Sequence, residues 1–489
     1  MRAEDVAREN QFREGFHLVD YAEVGLPIFR LTIEAITTSI RSIPTIHEFA
    51  MRCIHLGESQ EHQIGKMLGL SEDIITGAID SLVLDGLVTR TAIIDGHSNF
   101  GLTPLGEERL AEESQEIIQE EMIVVDYDAM RRKPIRLAGE NVLRAAELRD
   151  FGAIEIRPYP IEPPPIDELA IPEVSRVIRR RDGQDFHRNI LALKQVVRRN
   201  NVFREAVCLV YASDKGNEIQ VTFAIDGRIL ESHERAFAQN GGPKKMGFVK
   251  AVGNRSSQAW LQRLIGGEVI QALPSPQTWQ DLRLEETEAR RQKRVAEDAL
   301  ESAQTNLSRT RVMAALDEAK ERYALARHSL DVLPARQLSC FEQDEILREA
   351  MNEAKASLVV TTAGLQPTML TQHDLRQIDN LMAIKASVHI GSFLSPQTEP
   401  RGGSYFDPLS ELTKRQKTGL LKLYKTRQSA FFYLIKDDDL AVISNRPFFG
   451  EVSRRSSFQR VVGIVIRDRR RVAEVKKLAA KVCGLSANG

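Results

Sequence analysis

The chain has 489 residues, which at roughly 150 residues per domain allows two to four domains. Its 42% hydrophobic content supplies real cores, yet no apolar run approaches the roughly 18 residues of a membrane span. A formal net charge of −1 excludes a polyanion binder by bulk composition. Charge is nevertheless uneven, with basic clusters at Arg131-Arg132-Lys133, Arg179-Arg180-Arg181, Arg198-Arg199, Arg290-Arg291-Gln292-Lys293-Arg294 and Arg469-Arg470-Arg471. Scattered, these are solvated faces; gathered on one side, they form an electrostatic footprint for nucleic acid. The opening residues MRAEDVAREN carry charge from the second position and lack an apolar signal core, which predicts a cytoplasmic protein. Cys53, Cys208, Cys340 and Cys483 lie far apart with no CxxC pair, as free thiols of a reducing compartment do.

The first 120 residues predict short helices followed by a hairpin. HEFAMRCIHLG and HQIGKMLGL carry helical spacing, and Ser71 is placed to cap a third helix with Glu72 and Asp73 in its first turn. LVTRTAII and NFGLT follow as strands joined by Asp95-Gly96-His97-Ser98. From 121 to 280 the pattern predicts an α+β unit. MIVVDYDAM is strand-like, QDFHRNILALKQVVRRN has the spacing of an amphipathic helix, and AVCLVYA and EIQVTFAIDGRIL alternate as antiparallel strands. GGPKK (241–245) and GNRSS (253–257) are predicted loops without P-loop spacing.

Residues 281–333 contain no Gly, and Ala296, Leu300, Ala303 and Leu307 recur in one phase, Leu316, Ala319, Tyr323, Ala326 and Leu330 in another. This predicts a coiled-coil segment, either straight over on the order of 75 Å and paired with a partner, or folded back as a helical hairpin. After Pro334, alternating helices and short β-branched strands predict an α/β sheet with helices on its faces.

Residues 45–115 resemble a winged helix-turn-helix domain, through HQIGKMLGL-S-EDIITGAIDSLVLDGLV, the hairpin, and Leu102, Thr103, Gly106 and Leu110 in an L-T-x-x-G-x-x-x-L pattern. That resemblance implies duplex DNA in contact with the third helix. The helix from Glu72 to Leu84, however, holds no Lys or Arg and shows Glu72, Asp73 and Asp80. Lys66, Arg90, His97 and Ser98 are the remaining candidate backbone or wing contacts.

Residues 338–484 resemble half of a phospholipase D fold, through EILREAMNEAKASLVVTTAGL, ASVHIGSF, SAFFYLIKDDDLAVISN and VVGIVIRDRRRVAEV. An active member needs H-x-K-x4-D, with histidine as nucleophile. Here the aligned positions are Ala430, Phe432 and Asp437, and no histidine elsewhere starts the motif. The resemblance therefore implies a retained fold without its chemistry, and no catalytic residue is assigned. Arg446, Arg454 and Arg455 flank the implied cleft as candidate phosphate or nucleic-acid contacts. Asp437, Asp438 and Asp439 are a solvated turn in preference to a metal site, so neither metal nor other cofactor is predicted.

The predicted fold class is thus multidomain α/β. A winged helix with an N-terminal extension (1–120) precedes a middle α+β domain (121–280), a coiled coil (281–333) and a catalytically degenerate phospholipase D-like domain (334–489). The function expected is that of a non-enzymatic, DNA-associated scaffold or recognition subunit, of the kind found in prokaryotic DNA-handling and anti-phage defence systems. Its partners would be double-stranded DNA and a protein or second copy joined through the coiled coil, with no membrane. The alternatives are a ligand-responsive winged-helix transcription regulator and a phosphodiesterase or nuclease using other residues.

Overall fold

The computed structural model describes residues 2–41, 44–94, 97–111, 115–137, 142–182, 188–214, 217–253, 256–303, 306–365, 370–393, 408–427, 429–449 and 458–483. The described residues form a multidomain α/β protein with three sheets. None of its described helices is long and apolar enough to cross a membrane.

Two strands of 26 residues each, Phe16–Arg41 and Arg188–Ser213, pair antiparallel along almost their whole length. Over the half distant from the C-terminal region, Gln115–Asp128 pairs with the other edge of the first strand, from Ile28 opposite Asp128 to Arg41 opposite Gln115. The result is a three-stranded stalk, about 45 Å long at ~3.3 Å per residue. Residues 12–41, within the span expected as a winged helix with an N-terminal extension (1–120), therefore belong to the central sheet. Residues 45–111 are instead an insertion carried at the stalk's tip.

Pro27 explains how a strand with a proline can be central. It falls between two partners on one edge: Val24 and Gly25 pair with Ile154 and Glu155, and pairing with the stalk strand begins at Ile28. No ladder donor is needed there, and the Pro27 carbonyl still accepts from the Ala129 N–H at 3.2 Å. Gly25 leaves room for the Leu148 side chain, whose Cδ2 would lie 2.6 Å from a Cβ at that position.

The segment around ILALKQVVRR is a strand, not the expected amphipathic helix. Thr37, Ile36, Ala35, Glu34, Ile33 and Thr32 face Ile190, Ala192, Leu193, Gln195, Val196 and Arg198 in turn, leaving Leu191, Lys194 and Val197 as extra residues. Each is a bulge, and the three recur every third position. Both members of one such pair, Lys194 and Gln195, reach Glu34 at 2.8 and 2.7 Å, so a bulge pair shares one face. Ile190, Leu193 and Val196 take the other face, against Val174 and Ile178 of the helix Ile171–Asp182. A spacing of three apolar residues on one side is what a helix shows, and a regularly bulged strand reproduces it.

The segment expected as a coiled coil forms two helices, Pro276–Ser302 and Asn306–Asp331, that fold back on one another. Lys293 lies 5.0 Å from the Tyr323 ring centre, and Arg322 donates to Gln292 at 3.4 Å across the pair. The GGPKK stretch, expected as a loop, contains the short helix Gly242–Lys245.

The C-terminal region is a seven-stranded sheet in the order Ala335–Gln337, Gly463–Ile466, Leu440–Ser444, Phe432–Lys436, Ser357–Thr362, Ser387–Ser392 and Leu421–Lys425. The last three are mutually parallel and the others antiparallel. Helices cover both faces: Gln343–Glu353 and Gln372–Ala383 on one, Arg469–Cys483 with Ser256–Ile265 on the other.

A buried ion cluster joins this region to the hairpin and to the N-terminal helix Ala3–Glu9. Arg8 donates to both Glu286 oxygens at 2.9 and 3.0 Å and also pairs with Glu345; Arg283 and Arg336 donate to the two Glu342 oxygens at 2.9 and 3.0 Å. Arg8, Arg283, Glu286, Arg336 and Glu342 are all at most 2% exposed. Burial pushes the Glu342 carboxyl up, but the surrounding guanidiniums, Arg283 and Arg336 foremost, outweigh it and hold it well below the usual carboxylate range. Guanidinium faces left without carboxylates rest on aromatic rings: Arg283 lies over Trp279 and Phe341, Arg336 over Trp279 and Arg8 over Phe341.

Candidate nucleic-acid interface

The tip unit builds its core from three helices, Thr45–His55, Glu61–Leu68 and Glu72–Leu84, and the hairpin Val88–Ile94 with His97–Leu102. Ile54, Ile64, Ile75, Ile79, Leu82, Val88 and Phe100 meet there. Phe100 N–H donates to the Ser59 carbonyl at 2.8 Å, which ties the hairpin to the turn before the second helix. Thr103 donates to the Gly86 carbonyl at 2.8 Å and accepts from Gly106 N–H at 3.0 Å. A Cβ on Gly106 would sit 2.0 Å from the Leu87 carbonyl oxygen, so the L-T-x-x-G pattern records a close backbone crossing. Ser71 occupies the N-cap position as expected, without a side-chain capping bond.

The predicted contact residues of this unit do not gather into a basic surface. Lys66 is exposed on the second helix. Arg90 lies 3.7 Å from Asp80 and stacks over Phe100, its ring centre 5.7 Å away. Ser98 is half-buried on the second hairpin strand, next to the backbone of His97, whose side chain lies outside the described residues. Residues 45–111 hold ten acidic and four basic side chains, a field that repels phosphate.

At the C-terminal sheet, Phe432 is buried and stacks on Phe393 with ring centres 6.5 Å apart, while Ala430 is exposed. Asp437 sits in the turn with φ of 50° and accepts from the backbone N–H groups of Lys355, Ala356 and Ser357 at 2.9, 2.8 and 2.7 Å. Burial raises its carboxyl, but these three bonds outweigh that and keep it below the ordinary range. Asp438 pairs with Lys476 at 3.0 Å and Asp439 with Lys436 at 3.5 Å, so the three carboxylates diverge. Arg446 is 4% exposed, donating to the Cys340 carbonyl at 3.1 Å while its own carbonyl accepts from Gln343. It is a structural arginine, and the surface contact expected of it is corrected. Arg454 and Arg455 lie outside the described residues.

A basic region lies on the stalk. The helix Ile171–Asp182 and the strand over 188–202 together carry eight Arg or Lys and two acidic residues. Strand 115–128, on the opposite flank, carries five acidic residues and no basic one. Val174 and Ile178 turn inward, leaving Arg176 exposed on the outer side of the helix. The backbone of Arg179, Arg180 and Arg181 forms its last turn, and the returning strand starts at Arg188, opposite Ser39 beside the tip. Arg198 and Arg199 are consecutive on that strand, hence on opposite faces, and both are exposed. Arg176 and Arg199, well separated in sequence, thus lie on the same helix-covered side of the stalk, which the residue pattern alone does not disclose.

No family model matches the chain, and no curated protein matches it. Among solved structures it is similar to Nuc of Salmonella typhimurium, a phospholipase D family member, with 9% identity, 29% of this chain and 86% of that one covered, and a TM-score of 0.22. NucT of Helicobacter pylori matches at 13% identity over 30% of this chain and 92% of its own, with a TM-score of 0.22. TrmBL2, an archaeal chromatin protein with a novel mode of DNA binding, matches at 16% identity over 41% and 67%, again with a TM-score of 0.22.

Proposed function

We propose that this protein is a non-enzymatic, nucleic-acid-associated scaffold that contacts duplex DNA through the basic flank of its stalk. The observation that carries the reading is the exposure of Arg176 and Arg199 on the helix-covered side of the stalk, with the backbone of Arg179–Arg181 in the last turn of the same helix, beside an acidic tip unit. Exposed guanidiniums along a β-ribbon suit the phosphate backbone of a duplex, which supplies affinity without sequence reading. The winged-helix identity of residues 45–111 belongs to this proposal, with Lys66, Arg90, His97 and Ser98 as secondary contacts. So does the setting implied by the domain resemblance, a prokaryotic DNA-handling or anti-phage defence system. The non-enzymatic part is supported by a packed phenylalanine at the lysine position of the motif and an alanine at the histidine position. Asp437 is supported as a backbone clamp, its carboxylate engaged by three N–H groups.

Fluorescence anisotropy of the full chain with a mixed-sequence duplex, across a salt series, tests the reading. Binding is expected to fall steeply with salt. Arg176→Ala with Arg199→Ala is expected to lower the log–log slope by about 1 for each phosphate that is no longer neutralised. Lys66→Ala and Arg90→Ala are expected to change little. Binding that ignores the stalk substitutions and is lost with Lys66 or Arg90 would transfer the interface to the tip, and no binding at low salt would end the nucleic-acid reading.

A further inference from the structure

The stalk's other face, turned away from the helix Ile171–Asp182, is apolar and uncovered. Ile118, Met122 and Val124 on one outer strand are 66%, 58% and 37% exposed, and Leu191 and Val197 on the other are 50% and 53% exposed. All five side chains lie on a regular antiparallel ribbon, where the first three alternate with Gln119, Ile123 and Val125 and the last two are bulge residues. Large apolar side chains concentrated on one sheet face mark an interaction surface.

We propose that this face is the interface with a second copy of the same chain, two stalks stacking face to face about a twofold axis parallel to the strands. The charge left over after internal pairing favours a copy of the chain in one orientation. On this face the strand 115–128 carries Glu120 and Asp126, the central strand Arg30 and Glu34, and the strand 188–202 Lys194 and Arg198. Asp126 pairs with Arg30 at 2.7 Å, and Lys194 is shared by Glu34 and Glu120 at 2.8 and 3.0 Å, which leaves one surplus carboxylate toward the first flank and Arg198 without an ion pair among the described residues on the second. Rotation about an axis along the ribbon exchanges left for right, so each acidic flank comes to lie over the copy's basic flank. An axis across the ribbon sets like charge over like, which is unfavourable. Glu34 and Arg30, on the central strand close to the axis, are already paired, Glu34 with Lys194 at 2.8 Å and hydrogen-bonded by Gln195 at 2.7 Å, Arg30 with Asp126 at 2.7 Å, so the approach of each to its own equivalent is tolerated.

The size fits as well. Fourteen residues in each of three strands, at ~3.3 Å per residue and ~4.8 Å between strands, present about 650 Å² per copy. Two copies then bury about 1,300 Å², within the range of stable specific interfaces. Both tips project the same way in this dimer, and Arg176 and Arg199, on the helix-covered side, stay outside it.

Sedimentation of the full chain is expected to give twice the 55.0 kDa mass of one chain. Met122→Asp and Val197→Asp, at exposed positions that leave folding intact, are each expected to weaken the dimer by about tenfold or more. Orientation is read separately: Thr32→Cys lies on the central strand near the axis, and a short bismaleimide is expected to join two such chains. Cys53, Cys208 and Cys340 are buried, so the unmodified chain is the control. A monomer at the highest soluble concentration overturns the proposal. A dimer unmoved by the Asp substitutions, or one that Thr32→Cys does not link, also overturns it. DNA binding does not enter any of these readouts, so the two proposals fail independently.

Discussion

Two regions of this molecule use arginine in opposite ways. At the base, Arg8, Arg283 and Arg336 are sealed among Glu286, Glu342, Trp279 and Phe341, each with carboxylate partners within 3.0 Å. Along the stalk, Arg176, Arg198 and Arg199 are exposed and have no ion-pair partner among the described residues. A buried guanidinium has surrendered its hydration and is worth its place only while its partner remains. An exposed one keeps its water and is free to exchange it for a phosphate or another chain. The same residue type is therefore an assembly element at one end and, in the function proposed above, a recognition element at the other, and the substitutions that matter differ accordingly.

The largest effect is expected at the base. Glu342→Ala removes the carboxylate shared by Arg283 and Arg336 and leaves two buried cations facing each other. Breaking a buried pair from one side costs about 3–5 kcal/mol, and urea unfolding is expected to show a lowered midpoint of that size. A loss near zero would mean the arginines find other acceptors, and the contrast between the two regions would fail.

The pH dependence follows from the same carboxyl. Its folded-state pKa is depressed, so its contribution to stability is complete above the unfolded value of about 4.3. That contribution is lost as pH falls below this value through the depressed folded one. Stability measured by urea titration is expected to hold from pH 7 to about 5 on this account and to drop on further acidification. Glu342→Gln is expected to flatten that drop.

How much of this was legible in the sequence divides along the same line. The C-terminal strands SLVVTT, SVHIGS, FYLIK and LAVIS and their intervening helices follow from local pattern, since each buries a face against near neighbours in the chain. The helices and hairpin of 45–111 follow similarly, down to Gly106. The stalk did not: ILALKQVVRR repeats every three residues, and only the register opposite Thr32–Thr37 shows that bulges create the repeat. The first long strand was obscured by Gly25 and Pro27, which are breakers in isolation and acceptable here because Leu148 and a change of strand partner meet them. The ion cluster links Arg8 to Glu286 and Glu345, and no local signal spans such separations. Among candidate site residues, Arg198 and Arg199 are visible in the sequence as a basic cluster, but nothing local ranks them above Arg446. The burial of Arg446 depends on Cys340 and Gln343, from a distant loop and helix.

A middle-sized effect is expected at Gly106, where the tip unit's close crossing excludes a side chain. Gly106→Ala forces its Cβ against the Leu87 carbonyl oxygen, and overpacking of this kind costs about 1–3 kcal/mol. Hydrogen exchange is expected to rise over 45–111 and to stay unchanged over the stalk and base, because the tip is an insertion with its own core. Increased exchange at Glu342 or along 188–202 would show that the regions unfold together.

The smallest effect is expected at Arg199. Its side chain is exposed and makes no ion pair among the described residues, so Arg199→Ala is expected to leave the urea midpoint within about 0.5 kcal/mol of the parent. Duplex affinity and its salt slope are expected to fall in the same variant. Stability and binding are then separable at this position, as they are not at Arg283, where any loss of function would follow loss of the fold. If Arg199→Ala destabilises the chain as Glu342→Ala does, its charge supports the stalk, and the division between assembling and recognising arginines does not hold.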